Sequence, residues 1–144
     1  MVVNIIAVGK LKEEYFRQAS AEYEKRLTAY CKLNITELEP DKRGSLEREA
    51  GMVNRMTPKS YRIALCPEGT RLTSGQFAEK LLRAEQSVSF IIGSSEGLAQ
   101  TVKDSADLKL SLSDMTYPHR LARVMLMEQL YRAFSIINNG KYHK

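Results

Sequence analysis

Two histidines and one arginine are the side chains of this protein best suited to moving a proton or holding an anion. His119 and His143 are its two histidines, and imidazole is the group whose ordinary pKa, about 6.5, lies nearest neutrality. Arg123 falls within the apolar arc of a predicted helix, where a guanidinium requires a partner. That partner is either a ligand anion or a carboxylate across a subunit interface. Each histidine, taken singly, also fits an ordinary surface role.

Three loops that follow predicted buried strands are candidates for the walls of one pocket. They span 65–69, 93–97 and 111–119, and ligands of open parallel sheets bind beyond the carboxyl ends of the strands. Gly93 and Gly97 either form a backbone nest for a phosphate or carboxylate or simply turn the chain. The sequence contains neither G-x-G-x-x-G nor G-x-x-x-x-G-K-[ST]. The pattern therefore argues against a Rossmann dinucleotide site and a P-loop.

The elements that position these loops alternate between strand and helix. Apolar runs and period-two alternation predict strands, and apolar residues at spacings of three and four predict helices. The expected strands are 2–8, 33–38 near an edge, 61–65 ended by Pro67 and Gly69, 88–92 and 108–112; the expected helices are 12–30, 45–56, 74–85 and 119–138. This alternation predicts an α/β protein with a parallel sheet. With 144 residues, the chain is expected to form one domain over 1–144.

The last predicted helix is apolar on nearly all sides. Its two opposite apolar sides carry Leu121, Met125 and Ile136, and Leu126, Leu130 and Ile137. One apolar side is enough to cover a core, so a second indicates burial against another surface. We therefore expect a homodimer in which this helix contributes to the interface.

Composition limits the classes of protein and partner. Hydrophobic residues make up 43% and charged residues 27%, which argues against disorder. No apolar run approaches the ~20 residues of a membrane span, and no signal peptide is expected. Two cysteines without a C-x-x-C favour a reducing, cytoplasmic setting and no metal site. Residues 115–144 carry five Lys or Arg and one Glu, within a net charge of +5, which favours a nucleic-acid partner or a solubilising tail.

The residues of the C-terminal half identify a family more closely than composition does. The most specific match is Ser111-Leu112-Ser113-Asp114-Met115-Thr116-Tyr117-Pro118-His119, followed by Arg123-Val124, Glu128-Gln129-Leu130-Tyr131-Arg132-Ala133 and the terminal Tyr142-His143-Lys144. Ile5-Ile6-Ala7-Val8-Gly9-Lys10, Glu22-Tyr23-Glu24-Lys25-Arg26-Leu27, Phe90-Ile91-Ile92-Gly93 and Glu96-Gly97-Leu98 also match. Over essentially its whole length the sequence resembles the RlmH family of SPOUT-class ribosomal RNA methyltransferases.

The resemblance implies a function, a fold and a set of site residues. The implied reaction is methyl transfer from S-adenosylmethionine, leaving S-adenosylhomocysteine, to N3 of a pseudouridine in helix 69 of 23S rRNA within the assembled 70S ribosome. The implied enzyme is a metal-free homodimer whose C-terminal segment forms a deep trefoil knot. The family's cofactor contacts fall on Leu65, Gly93, Leu112, Ser113, Asp114, Met115, Thr116 and Tyr117.

The proposed chemistry assigns roles to four further residues. Proton removal or orientation falls to His119 or His143, contact with an anion or RNA phosphate to Arg123, and positioning to Tyr142. The terminal residues are expected to complete the partner subunit's site. Two features depart from the family pattern, namely Ser94 in place of a common second glycine and a short segment over 44–60.

Two alternatives from other classes remain open at this level. One is a non-catalytic RNA- or ribosome-binding module that uses the same basic C-terminus. The other is a nucleotide- or flavin-binding protein of the flavodoxin type, which the loop Gly9-Lys10-Leu11-Lys12 disfavours because it lacks hydroxyl side chains for a phosphate.

Overall fold

A computed structural model describes residues 1–84 and 86–144, and its centre is a parallel sheet. The strands are β1 (Val2–Val8), β2 (Lys32–Leu38), β3 (Tyr61–Arg71), β4 (Ser87–Ile92) and β5 (Leu108–Ser111). Their order is β2-β1-β4-β3-β5, and every pairing is parallel. The carboxyl ends of all five strands therefore lie along one edge of the sheet. The predicted α/β class and the edge position of β2 are confirmed.

Helices cover both faces of the sheet. They are α1 (Glu14–Leu27), α2 (Leu46–Met56), α3 (Ser74–Arg83), α4 (Gln100–Ser105) and α5 (His119–Ile137). Helices α1, α3 and α5 pack together on one face, and α2 and α4 pack on the other. The expected start of α2 is confirmed, because the Ser45 hydroxyl accepts a hydrogen bond from the Arg48 amide.

The predicted end of β3 is wrong. The strand was expected to stop at Leu65 because Pro67 and Gly69 follow, yet it continues to Arg71. Leu65 and Thr70 both pair with Leu110, so the intervening residues bulge out of the ladder. A bulge tolerates proline, which donates no backbone hydrogen bond. At Gly69 the fit is tight, since a Cβ there would lie 2.7 Å from the backbone of Leu110.

Small differences occur at the ends of several other elements. Helix α1 spans Glu14–Leu27 and is shorter at both ends than the expected 12–30. Helix α3 ends at Arg83 rather than at residue 85, which lies outside the described residues. Strand β5 ends at Ser111, so Leu112 already belongs to the following loop.

Helix α5 shows the two kinds of apolar side that its sequence predicts. Leu126 and Leu130 are fully buried against the core on the α1/α3 face. Leu121, Met125 and Ile136, from the opposite side, are half-buried within this chain, and Ile136 packs against the same core. Leu121 and Met125 therefore leave apolar surface on the helix beyond what its own core uses.

Candidate active site

A cavity of about 590 Å³ opens at the bulge of β3 and at the carboxyl ends of β4 and β5. Its walls come from the three segments that the sequence selects, although 65–69 is the bulge of β3 and not a loop. They contain every residue expected to touch a cofactor: Leu65, Gly93, Leu112, Ser113, Asp114, Met115, Thr116 and Tyr117. Cys66, Ser94, Gly97, Pro118, His119 and Ala122 also line it. The volume is within the range of small-molecule sites, roughly 300–1,000 Å³.

The turn after β4 gives one wall a fixed shape. A Cβ on Gly93 would lie 2.3 Å from the carbonyl oxygen of Gly97, so only glycine fits there. The Gly97 amide donates to the Ser94 carbonyl oxygen at 2.9 Å, and Gly97 itself has φ +86°, a left-handed conformation that glycine adopts without strain.

The loop between β5 and α5 forms a second wall and is held by its own polar groups. The Ser111 hydroxyl donates to the Ser113 carbonyl oxygen at 2.9 Å, and the Ser113 hydroxyl accepts from the Met115 amide at 3.0 Å. Arg71 at the end of β3 forms an ion pair with Asp114. Met115 remains 73% exposed, so an apolar side chain stands at the cavity in contact with solvent.

His119 is the titratable base of this cavity. It is the first residue of α5 and is half-buried. Burial lowers the pKa of its imidazole, the charge of Arg120 lowers it further, and Glu13 acts in the opposite direction. The ring is therefore neutral at pH 7 and can accept a proton.

An ion pair fixes the start of α5 against the loop after β1. Arg120 Nη1 lies 2.9 Å from Glu13 Oε1, and both side chains are about three-quarters buried. Glu13 Oε2 and Arg120 Nε are buried without a partner among the described residues. Nothing in the sequence pattern pointed to this pair, since 107 residues separate its members.

Arg123 is engaged by a carboxylate of its own chain. Its Nη1 donates to Glu37 Oε2 at 2.7 Å, and its side chain is 6% exposed, against 33% for Glu37. The sequence offered a ligand anion or an intersubunit ion pair, whereas the structure places the partner at the end of β2 in the same chain. Arg123 is also absent from the described lining of the cavity.

The chain terminus docks on a different part of α5. The Tyr142 hydroxyl donates to Glu128 Oε1 at 3.1 Å and lies 3.3 Å from the hydroxyl of Tyr23. Hydrogen bonding to Tyr23, burial and the Glu128 carboxylate all raise the pKa of Tyr142, so its phenol is neutral. His143 Nδ1 lies 3.1 Å from Arg132 Nη1. Arg132 and Glu128 form the i,i+4 pair expected from the sequence.

The four expected catalytic residues are therefore not brought together within one chain. Glu128, which holds Tyr142, lies nine residues beyond His119 on α5, or about 14 Å along the helix axis. Tyr23 and Glu128 border a second cavity of about 510 Å³ between α1, α3 and α5. The two cavities share Leu110, Ser111 and Leu112 as a common wall. His119 faces one cavity, and the terminus lies beside the other.

The described residues were compared with what a reactive thiol, a metal site and a membrane-spanning helix require. Burial raises the pKa of the Cys31 thiol to about 11 and also raises that of Cys66, as expected for small hydrophobic residues. Within 1–84 and 86–144, no cluster of His, Cys, Asp or Glu is suited to a metal. None of the described helices combines the length and apolar character needed to cross a membrane.

Comparison with known proteins gives a consistent picture over the full chain. A family model described as "Predicted SPOUT methyltransferase" matches residues 1–143. Ribosomal RNA large subunit methyltransferase H of Acetivibrio thermocellus is 43% identical, and its counterpart from Carboxydothermus hydrogenoformans is 42% identical. Both alignments run over 159 residues and cover 100% of each protein. Since this chain has 144 residues, these relatives contain residues that it lacks.

Solved structures with the same fold are more distant in sequence. A probable methylase family protein from Haemophilus influenzae superimposes with a TM-score of 0.60 at 13% identity, covering 99% of this chain and 70% of the other. The tRNA (m1G37) methyltransferase of Aquifex aeolicus gives 0.59 at 14% identity, with 91% and 69% coverage. At these identities the likeness concerns the fold alone.

Proposed function

Because this chain belongs to the SPOUT methyltransferase family, we propose that it transfers a methyl group from S-adenosylmethionine to N3 of a pseudouridine in 23S rRNA. The substrate in this proposal is the assembled 70S ribosome in the cytoplasm. Relatives that match the whole chain are named ribosomal RNA large subunit methyltransferases, and the net charge of +5 suits a polyanionic substrate. Membership of this family argues against the flavodoxin-type alternative.

The observation that carries the proposal is the cavity at the bulge of β3 and the carboxyl ends of β4 and β5. Its volume and its narrow glycine turn suit a nucleoside with a flexible polar chain. Leu65, Gly93 and the loop 112–117 would surround the cofactor, with backbone groups of the turn and loop as hydrogen-bonding partners. When bound, S-adenosylmethionine would supply an electrophilic methyl group on its sulfonium. A nucleophile attacks that methyl carbon in line while the bond to sulfur breaks, and S-adenosylhomocysteine is the leaving group.

The protein's contribution to the reaction is alignment, exclusion of water and removal of a proton. His119 lines the cavity and is neutral at pH 7, so it accepts the proton that N3 loses as the N3–methyl bond forms. Arg123 does not serve as the anion contact in this scheme, since Glu37 already neutralises it. Its role is to hold α5 against the end of β2.

We propose that Tyr142 and His143 act in the site of a partner subunit. Within its own chain the terminus is held by Glu128 and Arg132, away from His119. The half-buried apolar side of α5 supplies the surface for a homodimer. In such a dimer the terminus of one subunit would complete the cavity of the other, with Tyr142 positioning the nucleotide. The trefoil knot stays a prediction from the resemblance.

A methyl-transfer assay on ribosomes tests the function. Ribosomes from a strain that lacks this modification are incubated with labelled S-adenosylmethionine and the wild-type protein, His119→Ala or a protein truncated after Gly140. We expect label in 23S rRNA with the wild type and strong losses with both variants. Lys141→Ala, a change at an exposed residue outside the terminal Tyr142-His143-Lys144 set, is the control for the truncation.

The assay also separates the remaining alternatives. Binding of S-adenosylmethionine without label on ribosomes would contradict the substrate and retain the enzyme class. Absence of both would favour the non-catalytic RNA- or ribosome-binding module.

A further inference from the structure

A buried carboxylate on α2 contacts the turn that forms one wall of the cofactor cavity. Glu49 is 5% exposed. Its Oε1 accepts a hydrogen bond from the Ser94 hydroxyl at 3.4 Å, and its Oε2 accepts from the Asp41 amide at 2.9 Å. Burial of a carboxylate is costly unless donors satisfy it, so these two contacts are what keep Glu49 in place. Helix α2 contributes no residue to the described lining of the cavity.

The segment between β2 and α2, to which Glu49 is bonded through the Asp41 amide, is held by several hydrogen bonds of its own. The Asp41 carboxylate accepts from the amides of Arg43 and Ser45, both at 3.0 Å. Ser45 is the N-cap of α2, and its hydroxyl accepts from the Arg48 amide at 3.3 Å. The segment between β2 and α2 is therefore fixed by its own hydrogen bonds, and Glu49 joins it to the turn after β4.

Ser94, the other partner of Glu49, also takes part in the hydrogen bonds that shape the 93–97 turn. The Ser94 hydroxyl, besides donating to Glu49, accepts from the Glu96 amide at 3.4 Å. The Ser94 carbonyl oxygen accepts from the Gly97 amide. Displacement of Ser94 would thus move the backbone over 94–97, which lies against the cavity.

We propose that Glu49 is a positioning residue that holds the 93–97 turn, through Ser94, in the shape needed to bind S-adenosylmethionine. The ligand in this inference rests on the proposed function. Ser94 stands where the resemblance gives a second glycine, and only a side chain with a donor can reach Glu49. The two departures from the family pattern, Ser94 and the segment over 44–60, are therefore connected by one hydrogen bond.

A double-mutant cycle on cofactor affinity tests the coupling. The dissociation constant of S-adenosylmethionine is measured by calorimetry for the wild type, Glu49→Ala, Ser94→Ala and the double variant. Loss of one hydrogen bond corresponds to an affinity about five- to tenfold weaker for each single variant. If the residues act through each other, the double variant is no weaker than the singles. Unchanged affinities, or losses that multiply, would overturn the proposal.

Two further variants distinguish positioning from a general loss of structure. Glu49→Gln keeps a carbonyl oxygen for the Asp41 amide and gains an amide donor for Ser94, so its affinity should stay near that of the wild type. Glu47→Ala removes an exposed carboxylate from the same helix and serves as the matched control. Loss of affinity in Glu47→Ala as large as in Glu49→Ala would contradict a specific role for Glu49.

Hydrogen exchange of the ligand-free protein tests the positioning role of Glu49 independently of the proposed methyltransferase function. The Gly97 amide, bonded to Ser94 in the turn, should exchange faster in Glu49→Ala and not in Glu47→Ala. Equal exchange in all three proteins would overturn the positioning role whatever the ligand. A wild-type protein that binds no S-adenosylmethionine would instead overturn the proposed function and the ligand named here.

Discussion

The hydroxyl of Tyr142 donates a hydrogen bond to Glu128 Oε1 at 3.1 Å. The same oxygen accepts from Arg132 Nη2 at 2.6 Å, and the Arg132 guanidinium lies 4.7 Å from the centre of the Tyr142 ring. These contacts hold the terminus of each chain on its own α5, about 14 Å along the axis from His119. The terminus is thus presented on the helix that offers a spare apolar side, where a second subunit would meet it.

Mixed dimers test whether the terminus acts in the partner's site. We expect His119→Ala and the Gly140 truncation to be inactive alone and to recover activity when co-expressed. Random pairing makes half of the dimers mixed, and each mixed dimer has one intact site of two, so about a quarter of wild-type methyl transfer should return. The measurement is label incorporated into ribosomes per dimer.

Recovery requires each subunit to supply what the other lacks. If the terminus acted within its own chain, both sites of every mixed dimer would be defective and no activity would return. Co-expression of His119→Ala with itself under a second tag controls for the tags.

Breaking the ion pair between Glu37 and Arg123 is expected to lower the free energy of unfolding and to have little direct effect on methyl transfer. Glu37→Leu leaves a buried guanidinium without a partner, which should cost about 3 kcal/mol or more in the free energy of unfolding. Arg123→Met should cost less, since Glu37 is one-third exposed and water can solvate it. Urea unfolding measures both, and the double variant should regain part of the loss because it buries no unpaired charge.

Methyl transfer by Arg123→Met, assayed well below its melting temperature, should stay within about threefold of wild type. A hundredfold loss in the folded variant would instead support the direct contact with an anion or RNA phosphate that the sequence analysis assigned to Arg123.

The local pattern of the sequence predicts the positions of the strands, of α1, α2, α3 and α5, and of the segments around the cavity, but it does not place the short helix α4. Apolar runs that end in turn residues mark the carboxyl ends of strands, and parallel strands bring those ends to one edge. For this reason the sequence alone assigns Leu65, Gly93 and 112–117 to one pocket. The end of β3 was wrong because Pro67 and Gly69 are equally typical of a strand end and of a bulge.

Contacts between distant residues could not be predicted in the same way. The pairs Glu13–Arg120, Glu37–Arg123 and Glu49–Ser94 join residues 107, 86 and 45 positions apart. Arg123 was recognisable as needing a partner because it falls in an apolar arc, but each of the other side chains resembles an ordinary charged or polar residue of a helix, strand or loop. Its partner depends on how the elements pack, which periodicity does not encode.

The pH dependence of methyl transfer should report the lowered pKa of His119. Proton acceptance requires the neutral ring, so kcat falls at low pH as the imidazole becomes protonated. Because burial and Arg120 lower the pKa, this fall should have its midpoint below about 6.5. Arg120→Met removes one of the lowering influences and leaves Glu13, which raises the pKa, so the midpoint should move to higher pH.

Lys12→Met, an exposed charge in the same loop as Glu13, is the matched control and should leave the midpoint unchanged. A midpoint that stays fixed in Arg120→Met would show that another group limits the rate at low pH.

Gly93→Ala should weaken cofactor binding with little effect on the rest of the fold. A Cβ at this position would lie 2.3 Å from the Gly97 carbonyl oxygen, so the turn must open and the cavity wall must move. We expect the affinity for S-adenosylmethionine to fall by at least about tenfold, which corresponds to about 1.4 kcal/mol.

Gly51→Ala is the matched control, because its Cβ would meet only Arg55 Nη1, at 3.7 Å. In a helix interior that change should raise stability by about 0.5–1 kcal/mol and leave binding unaffected. Calorimetry and thermal unfolding of the two variants check both expectations, and tight binding by Gly93→Ala would show that the turn is not part of the cofactor site.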